Sequence, residues 1–167
     1  HVSIASPISH LVDARKAASA DPADVERNRN VAVVLDKVAQ IARSRGDLPA
    51  AMAGYTDAIG IARRLAQTHA DDAGLRDDVA YFSVALGDVL AVMGHADRAL
   101  TAFRGALDIR RDLAAQAPAD PQRRLAVGMT AERVGDGLAE NGDLAGALAL
   151  YEERHAIVAA LVAQTPE

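Results

Sequence analysis

The chain has 167 residues, a formal net charge of −5, half of its residues hydrophobic but only 3% aromatic, and no cysteine. That length suits one ordinary domain, and the acidic balance argues against the basic stripe that a nucleic-acid backbone requires. Without cysteine there is no disulfide framework and no thiolate zinc site, and no run of about 18 apolar residues is present to span a membrane.

A core of this composition must come from Ala, Leu, Val and Ile, and alanine is the best helix former, so the expected class is all-α. Residues 1–20 fit no complete unit. The chain opens at His1 without Met, basic n-region or apolar h-region, which reads as a piece cut from a longer protein or as a trimmed tag. Ile8, Leu11, Val12, Ala14 and Ala17 either form the tail of a preceding second helix or fray as a terminus; Ala20-Asp21-Pro22 echoes Ala119-Asp120-Pro121.

From residue 21 onward the periodicity predicts helices near 22–45, 47–69, 72–93, 95–117, 121–141 and 143–165. Each shows apolar spacings of 3 and 4. The stripes are Val31, Val34, Leu35, Val38 and Ile41; Leu48, Met52, Tyr55, Ile59 and Leu65; Val79, Phe82, Leu86, Val89, Leu90 and Met93; Ala99, Leu100, Phe103, Ala106, Leu107 and Leu113; Val127, Val134 and Leu138; and Leu144, Leu148, Tyr151, Val158 and Leu161. Asp21-Pro22 and Asp120-Pro121 place an N-cap acceptor before a proline at the first helical position, and Asp71 or Asp72 serves the middle unit likewise.

Gly46, Gly94 and Gly142 stand 48 residues apart, each just past a first helix, where a left-handed C-cap costs least. Nine residues beyond each comes a ring: Tyr55, Phe103, Tyr151. Residues 31–69, 79–117 and 127–165 align without a gap, which is the signature of a repeat protein. The units are about 22–69, 72–117 and 121–165, within a repeat domain over 21–167, and three is about the minimum for a stable stack.

The middle unit's Leu86-Gly87, Leu90, Ala99, Phe103 and Ala106 resemble the tetratricopeptide repeat, W-x2-L-G-x2-Y…A-x3-F…P. Ser83 stands in place of the Trp and Leu90 in place of the Tyr. Leu35, Val38, Ala39, Ala42, Ala51, Tyr55 and Ala58 match in unit one; Ala131, Val134, Gly135, Leu138, Ala147 and Tyr151 match in unit three, where Arg154 replaces the last small residue. The usual repeat is 34 residues, the closing proline is absent, and the second helix runs on, so the chain is similar to a long-helix bacterial variant of the kinesin-light-chain type. The resemblance implies a right-handed α-solenoid of antiparallel helix pairs. Small residues at Ala39, Gly87 and Gly135, and at Ala51, Ala99 and Ala147, would let helices cross closely, with the rings filling the wedge between neighbouring units.

The resemblance also implies a concave face lined by first helices. Carried across, the groove places are Val33, Asp36, Gln40, Arg43 and Ser44; Tyr81, Val84, Asp88, Ala91 and Val92; and Met129, Glu132, Asp136, Ala139 and Glu140. Asp36, Asp88, Glu132, Asp136 and Glu140 would make it acidic, suited to a peptide or protein segment with Arg or Lys and one or two apolar anchors. Ordinary solvated helix faces carry the same kinds of residue. The family's carboxylate clamp needs Lys, Arg and Asn here, and those places hold acids and apolar groups instead. His155, at the register of Ile59 and Leu107, reads either as a ligand or pH switch or as a polar residue tolerated on an atypical last helix.

Enzyme motifs are missing. The five histidines show no H-x3-H or H-E-x-x-H spacing, and no phosphate-binding glycine loop or nucleophile elbow occurs. The expectation is a non-enzymatic interaction module without cofactor or metal, cytoplasmic, within a larger bacterial signalling or regulatory protein. Rival readings are a self-associating scaffold meeting through solenoid ends near Leu11 and Val158, and a sensory domain taking a small molecule or peptide signal beside Tyr81 and Met129. No nucleic-acid or membrane partner is expected.

Overall fold

The computed structural model of the chain describes residues 12, 13, 15, 16 and 24–164. Six helices follow one another: α1 (Val25–Ser44), α2 (Leu48–Thr68), α3 (Ala73–Val92), α4 (Ala96–Gln116), α5 (Pro121–Glu140) and α6 (Leu144–Val162). Among the described residues there is no strand. The fold is all-α, with neighbouring helices packed in pairs in the repeat-like manner of a helical solenoid; α1 packs on α2, α5 on α6, and α4 on α5.

Each pair folds back at the expected glycine. Gly46, Gly94 and Gly142 have φ of 80°, 79° and 83°, the left-handed region where a side chain would be strained. The residue after each glycine donates its N–H five residues back, Asp47 to Ala42, His95 to Leu90 and Asp143 to Leu138, at 2.8–2.9 Å, which closes a helix end in the Schellman manner. The same residue starts the next helix. Asp47 accepts from the Ala50 N–H and Asp143 from the Gly146 N–H, while His95 makes no side-chain cap bond. Sequence reading found the glycines and overlooked these two aspartate caps. The expected caps Asp120 and Asp72 are present, Asp120 accepting from Gln122 and Arg123 and Asp72 from Leu75. Asp24 caps α1, and the expected Asp21-Pro22 cap lies outside the described residues.

Two compact units divide the chain, His1–Val89 and Leu90–Glu167, with the border inside α3. The first unit buries Leu35, Ala39 and Ala42 of α1 against Ala51, Tyr55 and Ala58 of α2, and Leu75, Phe82 and Val89 of α3 are buried as well. The second buries Phe103, Ala106 and Leu107 of α4 with Val127, Ala131 and Val134 of α5. Close crossing is visible at Gly135, where a Cβ would stand 2.7 Å from the Tyr151 ring. Residues 12, 13, 15 and 16 are helical, and Arg15 bonds Asp57 at 2.6 Å. Arg111 and Glu153 repeat that pairing two units further on. The remainder of the stretch 1–20 lies outside the described residues.

The core departs from expectation at both ends of the series. Val34 and Ile41 were expected in α1's buried stripe and are about half exposed. Leu144, Leu148 and Tyr151 of α6 are exposed too, and Val158 and Leu161 are half-buried. The physical reason at α6 is that, among the described residues, no further helix covers the face that α5 covers on α4.

Candidate functional site

Some of the residues expected on the first-helix faces lie in the electrostatic neighbourhood of two tyrosines, one in each compact unit. In the first unit Tyr55 rises from α2 and is almost wholly buried. Its phenol is pushed above the ordinary value of 10.0, first by burial, then by the charge of Asp36; Arg43 acts oppositely, and Tyr81 and Asp88 add smaller upward pushes. Expected groove residues of α1 and α3 thus share one electrostatic neighbourhood around a group contributed by α2.

Asp36 is the unusual member. Its side chain is only 5% exposed. Oδ2 accepts from Gln40 Nε2 at 2.8 Å and lies 3.5 Å from Lys37 Nζ. Oδ1 is buried without a hydrogen-bond partner. A buried carboxylate oxygen left without a hydrogen bond carries a desolvation cost, set against the Gln40 and Lys37 contacts made at Oδ2. Across from it, Arg43 Nη1 sits 4.0 Å from Asp88 Oδ2, a loose pairing between partly exposed side chains. Tyr81 meets Phe82 edge to face at 5.4 Å and keeps much of its own surface open.

In the second unit the equivalent phenol is Tyr151. Its hydroxyl donates to Asp136 Oδ1 at 2.9 Å. That hydrogen bond is the main reason its ionisation is pushed above 10.0, with desolvation next and the charges of Asp136, Glu132 and Glu140 following. Arg154 Nε lies 3.2 Å from Glu132 Oε2. Glu132, Asp136 and Glu140 therefore share one neighbourhood.

The other expected residues have simpler settings. Val33, Val92 and Met129 are exposed, and Val84 is half-buried. The Ser44 hydroxyl donates to the Ile41 carbonyl of its own helix. His155 is exposed on α6. Among the described residues no group of three or more His, Asp or Glu is placed to hold a metal ion, and no helix is long and apolar enough to cross a membrane.

Sequence reading treated Tyr55 and Tyr151 only as rings filling a wedge. It missed their hydroxyls and the Arg154–Glu132 pair. One signal was available: Phe103 occupies the same register and is buried, so packing there needs a ring and not a hydroxyl.

No family model matches the chain, and no curated protein matches it. The crystal structure of BtubC (BKLC) from P. vanneervenii is similar over 96% of this chain and 91% of that chain, with 16% sequence identity and a TM-score of 0.28. The helical-repeat arrangement stands on the chain's own evidence, three 48-residue units with a left-handed glycine closing each first helix.

Proposed function

We propose that the chain is a non-enzymatic protein-interaction module that docks basic, amphipathic peptide or protein segments on the exposed faces of its first helices, α1 and α3 in the first compact unit and α5 in the second. One observation carries this reading. At a single register position, repeated every 48 residues, each first helix exposes a large apolar side chain: Val33 (44%), Tyr81 (44%) and Met129 (57%). Scattered apolar surface is normal, but recurrence at one register is patterned. One to three turns along the same helices stand Asp88, Glu132, Asp136 and Glu140.

Apolar anchors beside carboxylates suit a ligand that alternates Leu-like and Arg-like side chains. The carboxylates speed encounter and set salt sensitivity, and burial of the apolar groups supplies affinity. Asp36 adds a buried carboxyl group on α1.

Titration of a short Arg/Leu amphipathic peptide by calorimetry at low and physiological salt tests the reading. Wild type should bind with marked salt dependence. The triple substitution Asp88→Ala, Asp136→Ala, Glu140→Ala should weaken binding at least about tenfold and flatten the salt response. Unchanged affinity in the triple variant would remove the first-helix faces from consideration.

A further inference from the structure

The outer face of α6 is open. Leu144, Leu148 and Val162 are 69%, 57% and 68% exposed. In α4 the residues at the register of Leu148, Tyr151 and His155, namely Leu100, Phe103 and Leu107, are buried, and α5 lies close enough there that a Cβ on Gly137 would stand 3.2 Å from Leu100. Glu152 and His155 interrupt an otherwise apolar exposed arc on this helix. A face of this kind is covered in use.

The order of the side chains along α6 specifies the cover. Leu144, Leu148 and Tyr151 stand in the first half of the exposed arc, Ala156, Ala159 and Ala163 in the second, and the one large residue of the second half, Val162, mirrors Ala145 of the first. We propose that a second copy of this chain covers it, α6 against α6, antiparallel about a twofold axis level with the Glu153–Arg154 peptide. In that register Leu144 faces Ala163 of the second copy, Leu148 faces Ala159, and Tyr151 faces Ala156. Glu152 faces His155, whose ring N–H donates to the carboxylate. Twofold symmetry makes each contact twice. The alanines let the axes approach toward the short end of the usual 8–10 Å range.

Alternative pairings fit worse. A parallel contact sets Leu148 on Leu148 and Glu152 on Glu152, opposing bulk with bulk and charge with like charge. A head-to-tail stack continuing the repeat puts Ala159 of one copy at the register that Arg15, bonded to Asp57, already holds in the other. This dimer goes beyond the peptide-docking face, which lies on α1, α3 and α5, so either can fail without the other.

The test is sedimentation of the full chain over a concentration series, with cysteine crosslinking in a protein that has no native cysteine. A monomer–dimer equilibrium is expected, weakened at least about tenfold by Leu148→Glu, whose melting curve should match wild type at concentrations where both are monomeric, because the residue is exposed in the single chain. His155→Glu should weaken it as well, and the double exchange Glu152→Arg, His155→Glu should restore it, a rescue that loss of folding does not mimic. Leu148→Cys mixed with Ala159→Cys should crosslink on mild oxidation, and Leu148→Cys alone should not. A monomer at every concentration, growth beyond the dimer, a dimer indifferent to Leu148→Glu, or crosslinking of Leu148→Cys alone would each overturn the proposal.

Discussion

At the scale of single residues, Asp36 and Tyr55 both bury a polar group inside the first compact unit. Asp36 keeps one buried oxygen without a hydrogen bond, while the next unit places Val84 at the same register. Replacing Asp36 with Val should therefore leave stability unchanged or raise it by about 1 kcal/mol in denaturant melts, while weakening the basic peptide. A clear loss of stability would mean that the Gln40 bond outweighs the orphaned oxygen. Both tyrosines ionise above the ordinary 10.0 in the folded chain. The unfolded chain ionises near the ordinary value, so the stability held by neutral phenols is complete below pH 10 and is lost as pH climbs through the raised folded values. Thermal melts should show that alkaline decline, and Tyr55→Phe should reduce it with little packing cost, since Phe103 already fills the same register. An alkaline limb unaffected by Tyr55→Phe would place its cause elsewhere.

At the scale of the element, the turn chemistry repeats with one defect. Asp47 and Asp143 cap their helices by side-chain bonds, and His95, with nearly the same backbone angles, does not. His95→Asp should stabilise α4 by about 0.5–2 kcal/mol, and Asp47→Ala should cost α2 a similar amount, both read from chemical denaturation. Sequence made the six helices and three glycine turns legible because periodicity, glycine and ring recur together every 48 residues, so that each unit checks the others. It placed Val34, Ile41 and Leu148 in the core because a stripe records which face is apolar and not whether a neighbour covers it. Grouping of first-helix residues around Tyr55 and Tyr151 stayed hidden for a related reason. Helical spacing gives each side chain's direction, but hydroxyl partners such as Asp136 depend on how a second helix lies across the first.

At the scale of the whole molecule, each compact unit depends on small side chains and a few large anchors rather than on aromatic bulk. Leu35 is fully buried, and Leu35→Ala should cost about 2–5 kcal/mol. Gly135→Leu should cost about 1–3 kcal/mol or more, because even a Cβ already meets the Tyr151 ring. If denaturant melts found both neutral, the assigned crossings would be wrong. The first helices then carry the patterned surface, and the open face of α6 carries the self-complementary one. Hydrogen exchange of the full chain, with and without saturating Arg/Leu amphipathic peptide, tests the central claim most directly. Slowed exchange concentrated on α1, α3 and α5 around Tyr81, Asp88 and Asp136 is the predicted result, and slowing confined to α2, α4 and α6 would contradict it.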